Sequence, residues 1–297
     1  YRFFEDEESA LAAFENGAVD FILSPLKAVP SGAAYSPTYR ARFLVFNPQN
    51  RYLADPALRA ALACVLDRGD LAGGLLKSRA APLDSFVLSP QWRGQNLALP
   101  CDGLDETSRL AFAEQTLKEA GYSRGAGGNL KLPTGEALPT FTLLAPLKEE
   151  DALRSAAADY VTRQARLLGV TFSKREAGRE AVFYALYNSQ KYDAALMGWR
   201  LSEYPAYLCE WFGGESPLYE GERFKSVCQS LNSETNPEAA RRMVSAVESA
   251  LLTELPFLPL FTAAQPDVYR RLSYPAPAVL DGWTGWYGAP MYAVPAP

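Results

Sequence analysis

Short apolar runs and amphipathic stretches alternate along almost the whole chain, and that order limits the fold more than any other feature. "DEESALAAFENG" reads as a helix, with Asp6 at its cap, Leu11 and Phe14 on an apolar edge, and Asn16-Gly17 as a stop. "AVDFIL" follows as a strand. "RARFLVFN" is a second strand, with Phe43 and Val45 on one face and Leu44 and Phe46 on the other. Apolar residues on both faces predict burial on both sides. "DPALRAALACVLDR" reads as a helix capped by Asp55, with Pro56 at its first position and Leu58, Leu62, Val65 and Leu66 as its stripe. A long loop comes next. "DETSRLAFAEQTLKEAGY" is a helix presenting Leu110, Ala113, Leu117 and Ala120, stopped at Gly121. "RGAGGNLKLPTGEALP" reads as a hairpin or flexible loop, "TFTLLA" as a strand, and "EEDALRSAAADYVTRQARLLG" as a helix with acids in its first turn. Then come the strand "VTFSKRE", the helix "REAVFYALYNSQKY", the strand "DAALMGW", the helix "NPEAARRMVSAVESALLTEL" and the strand "PFLPLFTAAQPDVYRRL". Alternation of this kind predicts an α/β protein.

The chain has 297 residues, enough for two lobes. Its 29 basic residues against 34 acids leave a net charge of −5, which argues against a nucleic-acid surface. No apolar run approaches the roughly 20 residues of a membrane helix. Histidine is absent, which removes serine–histidine and cysteine–histidine catalysis and histidine metal sites. Cys64, Cys101, Cys209 and Cys228 show no C-x-x-C spacing, so a zinc site is not expected. Spacing alone leaves open which of them pair and which are free thiols. The glycines from Gly125 to Gly128 lack the residues of a phosphate loop. The acids from Glu149 to Asp151 read as helix-start charge, not as a glycosidase pair. The chain opens on Tyr1 with residues that already read as folded, so the natural N-terminus is expected to lie further upstream.

The stretch "AALMGWRLSEYPAYLCEWF" carries the densest chemistry. An apolar run ends in Gly198-Trp199, a polar loop brings Arg200, Ser202 and Glu203, and Tyr204, Tyr207, Trp211 and Phe212 follow. Such a cluster is either a ligand pocket or a core element with a decorated edge.

Several segments, in order, resemble the family 5 extracytoplasmic solute-binding proteins, the oligopeptide, dipeptide and nickel receptors of ABC importers. "ALAAFENGAVDFI" is similar to that family's helix–"sGevD"–strand unit. "FLVFNPQNRYLADPALRAALACVLDRGDL" is the most specific match, to "lafNt…f.d.rvR.Ala.aiDr..l". "AEQTLKEAGY" resembles "A..lLaeAGy", "QKYDAALMGW" resembles "g.yDa...gW", and "NPEAARRMVSAVESALLTELPFLPLF" resembles "d...R..ly...q.il.e.aP.iPl".

The resemblance implies an α/β fold of the periplasmic-binding-protein-like type II. Residues 1–38 would be a fragment of lobe I, 39–262 the whole of lobe III, and 263–297 the return to lobe I. The Pro/Gly-rich passage before Tyr39 and the segment after Phe261 would be the hinge crossings. The strand ending in Gly198-Trp199 would deliver a loop to the cleft. The acid that commonly holds a ligand amino group in peptide receptors falls here on Ser202, with Glu203 one residue later. The ligand-binding set expected on this basis is Trp199, Gly198, Arg200, Glu203, Tyr204, Phe43 and Phe261, the last two as cleft floor or ordinary core. A disulfide between Cys209 and Cys228 would close the loop after that strand; Cys64 and Cys101 are either paired or free. The function implied is a receptor capturing a peptide or other small polar solute for ABC permease subunits, outside the cytoplasm, touching membrane only through a lipid anchor or the permease. No enzyme activity, cofactor, metal or nucleic acid is implied. The alternative is the ligand-sensing domain of a transcription regulator of the same fold.

Overall fold

The computed structural model describes residues 2–22, 33–77, 79–95, 97–214, 216–219, 222–273 and 294–295. In chain order the elements are α1 (Glu7–Glu15), β1 (Phe21–Ile22), β2 (Ala34–Phe46), α2 (Pro56–Val65), β3 (Ala80–Pro82), α3 (Glu106–Glu119), β4 (Ser123–Arg124), β5 (Leu130–Lys131), β6 (Phe141–Pro146), α4 (Ala152–Ala165), β7 (Phe172–Ala177), α5 (Arg179–Tyr184), β8 (Ala194–Arg200), α6 (Tyr207–Phe212), α7 (Lys225–Ser233), α8 (Pro237–Glu254), β9 (Phe257–Tyr269), β10 (Leu272–Ser273) and β11 (Val294–Pro295). A seven-stranded sheet has the order β1-β9-β2-β8-β6-β7, with β3 also paired to β9. β6 runs parallel to both β7 and β8, while β2 is antiparallel to β8 and β9. This is the α/β fold that the alternation predicts.

Local chemistry sets the element ends. Asp55 accepts the Ala57 N–H at 2.8 Å and Asn236 accepts those of Glu238 and Ala239, each ahead of a proline at the first helical turn. α4 starts later than the acidic run suggests. Glu149 and Glu150 lie in the preceding turn, and Asp151 caps the helix by accepting the Arg154 N–H at 3.0 Å. After Leu168 the chain turns through Gly169 at φ +75°, a left-handed conformation glycine adopts without a Cβ penalty. α5 widens into a π-helical segment, Ala185–Ser189.

Strand occurs in two segments whose sequence shows no strand period. The long loop after α2 contains β3, which is too short to show a period but is held by pairing with Ala263, Thr262 and Phe261. The Pro/Ser-rich passage before Tyr39 is strand from Ala34 onward, because Ala34 to Pro37 pair with Asp267 to Ala264. Pro37 sits just before a shift in register, where a strand tolerates the missing N–H. Residues 23–32 of that passage, and 274–293 and 296–297 of the tail, lie outside the described residues.

β2 and β9 outrun their neighbours. β8 covers β2 only from Arg40 to Phe46. Beyond Arg40 the two strands continue as a ribbon, to whose far end β1 adds through Phe21–Tyr269 and Ile22–Val268. α1 packs there too: the Arg270 guanidinium lies over the Phe14 ring at 5.2 Å, and its backbone N–H donates to the Asp20 carbonyl at 2.8 Å. The main core lies on the other side of Arg40, around Phe43, Leu44 and Val45, all 0 % exposed. Disulfides join Cys64 to Cys101 and Cys209 to Cys228, with Cα separations of 5.2 and 5.4 Å. Among the described residues, no helix is long and apolar enough to cross a membrane.

Candidate ligand-binding site

The three mutually aligned strands β6, β7 and β8 end at one edge, at Pro146, Ala177 and Arg200. In open α/β sheets the crevice outside the carboxyl ends of the strands is where ligands bind. The first residues of α4 and α5 stand at this edge, joined where Glu150 accepts the Arg179 N–H at 2.6 Å. The β2–β9 ribbon leaves the sheet at the same edge, since Arg200 faces Arg40 across the strand pair.

The end of β8 has two unlike faces, because side chains alternate along a strand. Trp199 pairs with Ala41 and lies on the face of Phe43. Its ring is 5.6 Å from Phe43, 4.4 Å from Trp211 and 5.7 Å from Phe257 between centroids. It remains partly exposed, and its indole Nε1–H donates to the Tyr187 hydroxyl at 3.3 Å. Burial, the largest influence, raises the Tyr187 phenol above its ordinary value. Phe183, half exposed, stacks on Tyr187 at 4.3 Å. An apolar shelf with a polar handle results, a surface suited to a mixed solute.

On the other face Arg42 faces Gly198, and Arg40 faces Arg200. Arg42 folds over Gly198: a Cβ there would stand 2.8 Å from Arg42 Cδ, so a larger residue would have to push the arginine aside. Arg42 Nη2 reaches Asp151 Oδ2 at 3.5 Å, while Arg154 Nε holds the same oxygen at 2.7 Å. Burial lowers the Arg42 guanidinium below its ordinary value, with Asp151 opposing that and Arg154 and Arg40 adding to it.

The loop after β8 is braced by the loop after β3. Gln91 Nε2 donates to Glu203 Oε1 at 2.7 Å, and Trp92 meets Tyr204 edge-on at 4.9 Å. Behind these, Glu248 of α8 accepts the Gly94 N–H at 2.8 Å and the Ser85 hydroxyl.

The sequence-expected set therefore divides. Gly198, Trp199 and Arg200 end β8 together, and Glu203 and Tyr204 follow in an exposed loop. Phe43 and Phe261 are 0 % exposed, as ordinary core aromatics are, one of the two readings that the sequence left open for them. Phe43 supports Trp199 from beneath, and Phe261 is sealed between β2 and β3. Tyr187, Arg42 and Asp151 stand beside these residues, and Tyr187 and Asp151 have no signal of their own in the sequence. Arg40 and Arg42 had a signal in the period-two pattern of "RARF", which sets arginines against Ala41 and Phe43. Two cavities lie elsewhere. One of about 380 Å³ is lined by Asp67, Arg68, Asp84, Asp102 and Arg109, where Asp67 is already paired to Arg109. Another of about 470 Å³ includes Asn50 and Asp193, whose carboxylate is engaged by Asn50 Nδ2 and the Thr142 N–H.

The fold matches structures of the periplasmic-binding-protein-like type II. The family model of the bacterial extracellular solute-binding proteins, family 5 Middle, matches residues 1–216, and the chain belongs to that family. No curated protein matches the sequence. Among solved structures the chain is similar to the periplasmic murein tripeptide binding protein MppA in its unliganded open form, at TM-score 0.72 and 19% identity over 91% of this chain and 52% of that one. It is similar to the oligopeptide-binding protein AppA from Bacillus subtilis in complex with a nonapeptide, at TM-score 0.68 and 18% identity over 100% of this chain and 60% of that one. It is also similar to NikZ from Campylobacter jejuni in complex with Ni(L-His), at TM-score 0.68 and 20% identity over 98% and 60%. The chain thus spans 52% to 60% of the length of these structures.

Proposed function

We propose that this chain is the ligand-capturing part of a receptor for an ABC importer, working outside the cytoplasm on a peptide or other small polar solute. Residues 39–262 form one lobe, and 1–38 with 263–297 contribute to the other. The observation that carries this reading is the position of Trp199 and Arg200: they end β8 at the edge from which the β2–β9 ribbon leaves the sheet. A solute on that edge is contacted by one lobe and covered by the other when the ribbon flexes. Trp199 and Tyr187 offer it apolar area and a hydroxyl, Arg200 and Glu203 offer charge. No bond is made or broken. The two disulfides suit an oxidising compartment. Arrival at the membrane is through permease subunits or a lipid anchor.

The test uses the full-length protein. Titration calorimetry against peptides and oligosaccharides is expected to give saturable binding of a subset, with a smaller radius of gyration in solution scattering when the lobes close. Absence of binding to every class would overturn the reading, as would binding with no change in dimensions for the two-lobe mechanism.

A further inference from the structure

We propose that Glu248 of α8 is a positioning residue for the solute-facing loop after β8, acting through the loop after β3. This inference rests on the receptor reading above and names a residue that sets the shape of its site from behind.

Arg241, Ser245 and Glu248 are spaced four and three apart on α8, so they share one face of the helix. That face carries the loop after β3. Arg241 Nε donates to the Gln91 carbonyl at 3.0 Å, and the guanidinium lies 5.7 Å from the centroid of the Trp92 ring. Gly94 lies so close to the helix that a Cβ on it would stand 2.7 Å from Ser245 Oγ. Glu248, 0 % exposed, takes the Gly94 N–H on one oxygen at 2.8 Å and meets the Ser85 hydroxyl with the other. One carboxyl therefore pins both ends of the segment from Ser85 to Gly94. Between those ends Gln91 is exposed and donates to Glu203, while Trp92 meets Tyr204 edge-on at 4.9 Å. The path from Glu248 to the loop after β8 is thus unbroken.

A proton count shows which form of Glu248 pins the loop best. The Ser85 hydroxyl has one hydrogen, and its oxygen already accepts the Val87 N–H at 2.9 Å. Two oxygens compete for that hydrogen, the Val87 carbonyl at 2.9 Å and Glu248 Oε1. With Glu248 ionised, only one of them receives it. With Glu248 protonated, the acid donates to Ser85 Oγ, the hydroxyl donates to the Val87 carbonyl, and every group is satisfied. Burial, the largest influence, raises the Glu248 carboxyl above its ordinary value, in the same direction. The charged and titratable groups around it are already engaged. Arg93 of the loop is paired to Asp84 at 3.0 Å, Tyr207 of α6 donates to the Phe86 carbonyl at 3.0 Å, and Arg241 of α8 itself is paired to Glu238. The loop is held most firmly when Glu248 carries its proton, and Glu203 is held with it.

The experiment uses the full-length protein and two readouts. Hydrogen exchange without solute reports whether the two loops are coupled. Glu248→Ala is expected to speed exchange about tenfold in residues 85–94 and 201–206 alike, the scale of one lost hydrogen bond. Glu248→Gln accepts from Gly94 and donates to Ser85 as the protonated acid does, so it should stay within about twofold of wild type. Calorimetry then follows the tightest peptide captured from a tryptic casein hydrolysate. Glu248→Ala should weaken its binding by about three- to tenfold, and Gln91→Ala, a surface substitution, by no more than that. The double variant should match Glu248→Ala alone, since both cut one path. Wild-type affinity should fall as pH rises from about 5 to about 8, and Glu248→Gln should lack that part of the fall. Factors that multiply in the double variant, or identical pH profiles for wild type and Glu248→Gln, would make Glu248 merely structural. Unchanged exchange at residues 201–206 in Glu248→Ala would overturn the coupling. Faster exchange there with unchanged peptide affinity would overturn the positioning role and leave the receptor reading standing. No captured peptide at all would overturn the receptor reading for peptides, and this inference with it.

Discussion

The two faces of β2 and β8 at the carboxyl edge share a backbone and differ in everything else. On one, Phe43, Trp199, Trp211 and Phe257 close against each other at centroid distances of 4.4 to 6.3 Å. On the other stand Arg40, Arg42, Arg200 and Gly198, with Arg42 reaching Asp151, which Arg154 also holds. The aromatic face is held together by burial, which needs no partner of particular charge. On the arginine face the Asp151 carboxylate is divided between the guanidiniums of Arg42 and Arg154. The two sides of one strand pair are therefore held by different forces. Adjacent residues of a single strand should then respond very differently to substitution.

The widest gap is expected between Phe43 and Arg42. The Phe43 ring meets four others and is 0 % exposed, so Phe43→Ala should cost about 3–5 kcal/mol of stability by transfer and cavity terms. Arg42→Gln leaves the Asp151–Arg154 pair in place and should cost about 1 kcal/mol. Urea unfolding of both variants measures the gap. Similar midpoints would show that the arginine face is structural, and the comparison would collapse.

A second probe loosens the support under the aromatic face. Cys209 and Cys228, 19 positions apart, tie α6, which carries Trp211, to α7. Opening them by the double serine substitution should lower stability by about 3 kcal/mol on the chain-entropy scale. The same treatment of Cys64 and Cys101, 37 apart, should cost slightly more and leave the Trp199 fluorescence environment alone. If both pairs changed that fluorescence equally, the aromatic face would not depend on its own disulfide.

The two faces also differ in how far they can be read from sequence. "FLVF" announces a strand buried on both sides, and Phe43 to Phe46 are all buried. The caps Asp6, Asp55 and Asn236 were legible because a cap is a local event, settled within three residues. The edge bearing Trp199 was legible through the family's "GW" strand. The arginine face was not, since Arg42 and Asp151 are 109 positions apart and nothing local links them. β3 escaped for the same reason: a three-residue strand exists only through its partner. For Phe43 and Phe261 the sequence left cleft floor and core both open, and it takes the paired strands to show the rings buried.

A smaller effect should come from Trp199 itself. It sits on the aromatic face but is partly exposed, so it stands between the two roles. Trp199→Ala in the full-length receptor should weaken solute binding by about 1–3 kcal/mol, the scale of burying one large side chain. Its stability loss should fall below that of Phe43→Ala. Unchanged affinity in calorimetry would make the ring core and nothing more.

The smallest effect is a pair of opposite pH slopes. Burial raises the Asp151 carboxyl, but the Arg154 backbone N–H, Arg42 and Arg154 together outweigh it and hold it below the ordinary value of 3.8. A carboxyl held lower in the folded state contributes stability above its unfolded value and loses it as pH falls through the folded one. Glu248, beneath the loop that braces Glu203, is the reverse case. Burial raises it above 4.5, against the hydrogen bonds from Ser85 and the Gly94 N–H. Its contribution is fullest below the unfolded value and declines as pH rises through the folded one. The two losses lie on opposite sides of about pH 4, so their joint contribution is fullest near there and falls both toward acid and toward neutral pH. Asp151→Asn should remove the acid-side loss, and Glu248→Gln should flatten the decline on the other side. Urea midpoints taken across that range would show it. A Glu248→Gln profile parallel to wild type would mean that the buried carboxylate is fully compensated by its hydrogen bonds, and that the loop it anchors stays equally firm at either charge.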